Sequence, residues 1–164
     1  MVNRLSDLLI LLLFPILLFS YSTVNAATIS CDSSTDPCIG TDDNDMMEGD
    51  DSSNIMAGGN GNDQMMSSKG DDGLLGGDGN DEMDGGIGDD IIDGDQGNDK
   101  INGFKGHDFM SGGDGNDEME GGNGNDEIEG GDGGDLFICG RGDDKIHDLS
   151  VDEGDTKSDD CEEY

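Results

Sequence analysis

Gly76-Gly77-Asp78-Gly79-Asn80-Asp81-Glu82-Met83-Asp84 is followed without a gap by Gly85-Gly86-Ile87-Gly88-Asp89-Asp90-Ile91-Ile92-Asp93. Both stretches carry glycine at positions one, two and four, aspartate at six and a large apolar residue at eight. The pattern returns clearly at Gly112, Gly121 and Gly130. In weaker form it runs from Gly40 to His147 as twelve copies of nine residues, in one register and with no insertion. A short fixed period of this kind marks a solenoid, in which each unit buries its apolar face only by stacking on its neighbours.

Each column has a physical reason. Position eight is apolar in every copy, from Met47, Met56 and Met65 to Phe137 and Ile146. Side chains alternate across a strand, so positions seven to nine read as a three-residue strand whose middle residue faces inward. Positions one and four are Gly in ten copies each, and Gly permits the positive φ of a tight turn. Position six holds Asp45, Asp63, Asp72, Asp81, Asp90, Asp99, Asp108, Asp117, Asp126, Asp135 and Asp144, with Asn54 the one exception. Such a turn would offer these carboxylates together with backbone carbonyls around Gly58, Gly76, Gly85, Gly94, Gly112, Gly121 and Gly130. Carboxylates and carbonyls together suit Ca²⁺, which takes six to eight oxygens at about 2.3–2.6 Å.

Odd and even copies differ, so an 18-residue period lies inside the nine-residue one. Position five is Asn44, Asn62, Asn80, Asn98, Asn116 and Gly134 in the odd copies, and Ser53, Asp71, Asp89, His107, Asn125 and Asp143 in the even ones. Lys69, Lys105 and Arg141 recur every 36 residues at position three of even copies. Two nonapeptides therefore form one coil, giving two short-stranded sheets and two rows of turns. Each cation would sit between a turn and the turn one coil later. The rows supply nine Asp–Asp pairs, hence up to about nine Ca²⁺.

These residues resemble the RTX, or hemolysin-type, calcium-binding repeat family over 40–147. The close at Asp135-Leu136-Phe137-Ile138 and Asp143-Asp144-Lys145-Ile146-His147-Asp148-Leu149 looks like the end segment of such rolls. The resemblance implies an all-β fold, a right-handed parallel β-roll with Ca²⁺ in its turns. Many family members carry a large effector domain before the repeats and an uncleaved C-terminal export signal. This sequence departs from that plan, so toxin or protease activity is not carried over.

The formal net charge of −34 makes calcium a condition of folding. An excess of Gly, Asp, Asn and Ser with few aromatics ordinarily means an acidic disordered segment. Twelve apolar residues at every ninth position argue against that with calcium bound. Without it, stacked carboxylates repel and the thin core does not hold, so disorder is expected. Binding energy then becomes folding energy.

Residues 1–26 read as a secretory signal peptide: Arg4, the apolar run Leu8–Phe19, and Val24-Asn25-Ala26 as a small-residue cleavage site. The apolar run is short against the roughly 20 residues of a membrane helix, leaving an uncleaved anchor as the alternative. The expected product is a secreted, extracellular chain starting at Ala27, without stable membrane insertion. Cys31, Cys38, Cys139 and Cys161 flank the roll. In an oxidising compartment disulfides are favoured. Among three possible pairings, Cys31–Cys38 would clip an N-terminal cap at 27–39, and Cys139–Cys161 would pin the acidic tail 148–164 over the last coil. Zinc is the alternative, but no C-x₂-C spacing supports it.

No catalytic constellation emerges, so the chain is read as a non-enzyme. His107 and His147 are the only histidines, and neither belongs to an H-E-x-x-H motif. No EF-hand loop fits, and nucleic acid is excluded as a partner by the charge. The basic column Lys69, Lys105, Arg141 serves as charge relief or, more specifically, as a docking edge for an anionic glycan or cell-surface component. Ile91 and Phe109, with Phe104 nearby, form a small outward apolar patch. The expected role is an extracellular structural or interaction module. The alternative is an ice- or polysaccharide-binding adhesion protein using the odd Asn row, weakened by Thr41 being the only threonine in the repeats.

Overall fold

A computed structural model describes residues 27–32, 37–149 and 154–163; the leader reading of 1–26 lies outside them. The described residues hold sixteen strands and no helix. One sheet contains β1 (Thr28–Ser30), β3 (Met46–Glu48), β5 (Gln64–Met66), β7 (Glu82–Ile87), β9 (Lys100–Lys105), β11 (Glu118–Asn123), β13 (Leu136–Arg141) and β15 (Thr156–Lys157), side by side in that order. The other contains β2 (Cys38–Ile39), β4 (Ile55–Asn60), β6 (Gly73–Asp78), β8 (Ile91–Gln96), β10 (Phe109–Asp114), β12 (Glu127–Asp132), β14 (Lys145–Ile146) and β16 (Glu162–Glu163). All pairings are parallel. Met83 opposes Ile101 and Ile92 opposes Met110, so one coil is 18 residues. The chain is an all-β parallel solenoid.

The strands are longer than positions seven to nine. From β6 to β13 each has six residues and runs on through positions one to three of the next copy. Only positions four to six remain for the turn. Odd turns lead from the second sheet to the first, and even turns lead back.

The core is the line of position-eight side chains. Met47, Met56, Met65, Met83, Ile92, Met110, Met119, Ile128 and Phe137 are fully buried between the sheets. Met83 is midway along, with coils packed on both sides. Met83→Ala is expected to cost about 2–5 kcal/mol, the usual range for a core Met-to-Ala cavity. Urea unfolding of the calcium-loaded protein measures it.

Both ends continue the solenoid instead of lying across it. Thr28 pairs with Met46 and Cys38 with Met56, each 18 residues on. Ile29 and Cys38 thus occupy position eight and Cys31 position one of copies too eroded to be read from sequence. At the other end β15 and β16 add a strand to each sheet, so the tail forms a further coil. Its register slips: Leu136 opposes Thr156 and Lys145 opposes Glu162. Lys157 stands opposite Phe137, and its Nζ donates to the carbonyl of Cys161 at 2.8 Å. A cation thereby closes the core's end, as a solenoid terminus requires. Disulfides join Cys31 to Cys38 and Cys139 to Cys161.

Candidate metal centre

Two rows of buried aspartates run along the edges of the roll. In the odd row the backbone N–H of Asp45 donates to Oδ1 of Asp63 at 2.8 Å, Asp63 to Asp81 at 2.7 Å, Asp81 to Asp99 at 2.7 Å and Asp99 to Asp117 at 2.8 Å. Asp117 donates to Asp135 at 2.8 Å, and Asp135 to Asp155 at 2.9 Å. The even row repeats this from Asn54 through Asp72, Asp90, Asp108 and Asp126 to Asp144, at 2.6–2.9 Å. Each Oδ1 therefore ties its own coil to the one before it. Asp155 belongs to the odd row but was missed in the sequence, because the two extra residues of the last coil move it off the nine-residue count.

The second oxygen of each carboxylate is the chemically informative one. Oδ2 of Asp63, Asp81, Asp90, Asp99, Asp108, Asp117, Asp126 and Asp144 is buried and accepts no hydrogen bond. A buried, unmet carboxylate oxygen is costly, more so when ionised. Position-one glycines show where these oxygens point. A Cβ on Gly94 would stand closer than 3.0 Å both to Oδ2 of Asp99 and to the carbonyl oxygen of Gly112. Gly58, Gly76, Gly103 and Gly112 repeat the arrangement with Asp63, Asp81, Asp108 and Asp117. Two oxygen acceptors are thus turned toward one small space, with no donor between them. A hard cation fits that donor set. Among the described residues no three His, Cys, Asp or Glu side chains gather as a metal cage, so the remaining ligands would have to be backbone carbonyls.

This geometry corrects the role of the position-one glycines. Their φ is not positive. The left-handed residues are at positions two and four, such as Gly77 (φ 109°) and Gly79 (φ 149°). Position one is Gly because the carboxylate oxygen occupies the room a side chain would need. The two departures carry their own remedies: Ser67 donates Oγ to the carbonyl of Gly85, and Cys139 is in a disulfide. Ser68, Asp95 and Phe104 hold position two at positive φ without being Gly, a strained state for a bulky side chain.

Burial moves the carboxyls upward. Asp81, Asp90 and Asp117 are pushed up to about 6, and Asp99 and Asp108 to about 7, by desolvation first and then by the negative charge of row neighbours. The N–H of the preceding coil works against this without overcoming it. Asp45, at the open end, is lowered instead: burial there is outweighed by hydrogen bonds from the Ala27 N–H and from the hydroxyl and N–H of Thr41. A carboxyl whose folded pKa exceeds its unfolded value of about 3.8 favours the fold below that value, and the benefit is lost as pH rises through 6–7. The metal-free protein is therefore expected to have more β-structure at pH 5 than at pH 8, and calcium affinity is expected to rise over the same interval. Circular dichroism of the calcium-stripped chain tests the first and calorimetry the second. More metal-free structure at pH 8 would contradict the sign.

Position five forms a second ladder outside the first. Asn62 N–H donates to Oδ1 of Asn44, Asn80 to Asn62, Asn98 to Asn80 and Asn116 to Asn98, at 2.7–2.9 Å. Gly134 closes the row on Asn116 at 2.9 Å. The odd Asn row thus uses its acceptor oxygens within the roll, which accounts for its regularity without an external ligand. On the even edge Asp89 N–H meets Asp71 Oδ1, His107 N–H meets Asp89 Oδ1, and Asn125 N–H meets His107 Nδ1. His107 is thereby a rung of the ladder.

The basic column lies in register across one sheet edge. Lys69 bridges Ile87, Ile87 pairs with Lys105, Lys105 with Asn123, and Asn123 with Arg141. Lys69 Nζ reaches Asp51 at 2.5 Å. Phe104 sits in β9, in the opposite sheet from Ile91 and Phe109, so the three do not share one sheet face.

The family described as the RTX calcium-binding nonapeptide repeat (4 copies) matches residues 39–74, 68–101, 75–110, 84–119, 102–137 and 111–146. Together these overlapping stretches span nearly the whole roll. No curated protein matches the chain.

Proposed function

Because the chain belongs to the RTX calcium-binding nonapeptide repeat family, in which calcium binding and the β-roll go together, we propose that it is a secreted protein whose roll is assembled by extracellular calcium and then serves as a structural or interaction module. The observation that carries this is the file of buried Oδ2 atoms aimed at position-one carbonyls. The proposed ligands are the position-six carboxylates from Asp45 to Asp144 with carbonyls of the facing turns. Nine Asp–Asp pairs lie within the repeats, and Asp135 with Asp155 makes a further one. Nine ions would bring about +18 against a formal −34, leaving the folded protein acidic and soluble.

Extracellular calcium modules work at about 10⁻⁴–10⁻³ M. A chain that orders only at that concentration stays unfolded in the cell and can cross a membrane. The leader reading of residues 1–26 and the two disulfides agree with this route. Among the described residues no helix is long and apolar enough to cross a membrane. The basic column is read as charge relief on an acidic rod, since Lys69 already meets Asp51. No catalytic role is proposed. Isothermal titration with Ca²⁺ tests the function: several ions per chain, bound with the heat of folding, are expected. One ion or none overturns the proposal.

A further inference from the structure

Position eight accepts more than one kind of apolar side chain. Leu74, Ile92, Ile101, Ile128, Phe137 and Ile146 fill it in half of the copies, and Met47, Met56, Met65, Met83, Met110 and Met119 in the other half. The core therefore has no need of sulfur. All of these methionines are fully buried, at 0% exposure. Met46 and Met66 are not, at 38% and 39%. They are the sequence neighbours of Met47 and Met65, so alternation along β3 and β5 sets one thioether in solvent and the next in the core. Among the described residues no cysteine thiol is free, so these thioethers are the sulfur that an oxidant meets.

A thioether reacts with a peroxide by oxygen transfer. A lone pair on sulfur attacks one peroxide oxygen, the O–O bond breaks and an S–O bond forms. With hydrogen peroxide the transferred oxygen gives its proton to the departing hydroxide, which leaves as water. Sulfur loses two electrons and the peroxide gains them. The product, methionine sulfoxide, is polar and carries a hydrogen-bond acceptor. At position eight it would stand in a core cluster made only of apolar side chains. An acceptor buried there without a donor opposes the fold.

We propose that the position-eight methionines are an oxidative modification site that calcium closes; the proposal rests on the calcium-driven folding argued above. In the calcium-loaded roll a peroxide oxidises Met46 and Met66 and spares the core sulfurs. In the metal-free chain it reaches all of them, and the oxidised chain no longer folds when calcium arrives. The order of the two signals decides the outcome. Calcium first gives a roll whose core resists peroxide. Peroxide first gives a chain that calcium does not order until the sulfoxides are reduced. The sensitivity is concentrated toward the N-terminal end, where Met47, Met56 and Met65 occupy consecutive copies, whereas the last three copies hold Ile128, Phe137 and Ile146.

Hydrogen peroxide applied to calcium-loaded and calcium-stripped protein tests this. Peptide mass spectrometry places each added oxygen, and circular dichroism follows folding before and after. Met46 and Met66 are expected to react in both states and serve as the internal control. The core sulfurs are expected to react at least about tenfold more slowly in the loaded protein, because they react only through opening of the roll. After peroxide treatment of the stripped chain and removal of the oxidant, calcium that folds the untreated chain is expected to leave it unfolded. Replacing every core methionine by leucine (Met47→Leu and its equivalents) nearly conserves volume and is expected to restore folding after the same treatment. The Met46→Leu/Met66→Leu variant changes only exposed side chains and is expected to lose folding as the wild type does. Core sulfurs of the loaded protein that react as fast as Met46 overturn the proposal. So does a wild type, or a Met46→Leu/Met66→Leu variant, that carries sulfoxide at the core positions and still folds at the untreated calcium midpoint. These two chains decide the matter even where the core-leucine variant fails to fold untreated. A stripped chain that is β-rich before any peroxide is added overturns the calcium reading and this proposal with it, whereas a stripped chain that is unfolded, is oxidised in its core and then folds overturns the proposal alone.

Discussion

Chelation of calcium at neutral pH is expected to abolish most of the β-sheet circular dichroism, and its return to the millimolar range to restore the signal in one steep, cooperative step. The cause is the charge geometry. Oδ1 of each row Asp is held by the coil before it, while Oδ2 of Asp63, Asp81, Asp99, Asp108 and Asp117 faces another acceptor with no donor between them. At pH 7 the unfolded chain keeps these carboxylates in water, whereas the metal-free roll must bury them or take up protons. The core cannot compensate, since it is a file one side chain thick. A ligand that binds only the folded state at ten times its dissociation constant stabilises it by about 1.4 kcal/mol per site. Nine such sites contribute on the order of 10 kcal/mol, comparable to the whole stability of an ordinary domain, about 5–15 kcal/mol. With the proposed ligands each ion would be shared between stacked coils, so the sites are expected to fill together. A chelated chain with an unchanged β-rich spectrum would refute this.

Gly94→Ala is expected to weaken both the roll and its calcium binding, and Gly73→Ala to do almost nothing. A Cβ on Gly94 meets the Asp99 carboxylate on one side and the Gly112 backbone on the other, both inside 3.0 Å. The carboxylate end can swing only by abandoning its place in the row, and the backbone cannot move without shifting the next coil. Overpacking of this kind costs about 1–3 kcal/mol, or about 5- to 150-fold in the folding equilibrium. Loss of the cation between those turns adds to it. Gly94→Ala should therefore raise the calcium midpoint by tenfold or more and lower the number of ions bound. At Gly73 a methyl meets open space, and loss of unfolded-chain freedom leaves stability unchanged or slightly raised. If both variants titrate like the wild type, position one is not part of the site.

Period, coil length and the buried rows were legible because each depends on a residue type recurring in register. Met83 and Asp81 announce their places by what stands 18 residues away. The reasons behind the columns were less legible. Gly94 and Gly97 look alike as letters, yet Gly94 makes room for a carboxylate while Gly97 takes a φ of 137°. Composition cannot separate steric exclusion from backbone conformation. The ends escaped for another reason. Ile29, Cys38 and Asp155 occupy repeat positions, but their copies have lost the glycines or gained residues, so nothing local signals the period. Among the exposed apolar residues of the second sheet, Ile91 and Phe109 were legible, whereas Ile39, Ile55 and Leu75 lie in copies whose outward positions follow no rule.

The one-way sense of the aspartate rows bears on how the molecule can be made. From Asp45 to Asp135 each amide at position six is met by an oxygen belonging to the layer that comes later in the chain, as Asp45 is by Asp63 and Asp135 by Asp155. A polypeptide emerging head first therefore always has a leading stack whose newest storey lacks its ceiling. Only when the rear segment arrives, with Asp155 and the Cys139–Cys161 link, is the file complete. Such a thread is built to set last at its tail.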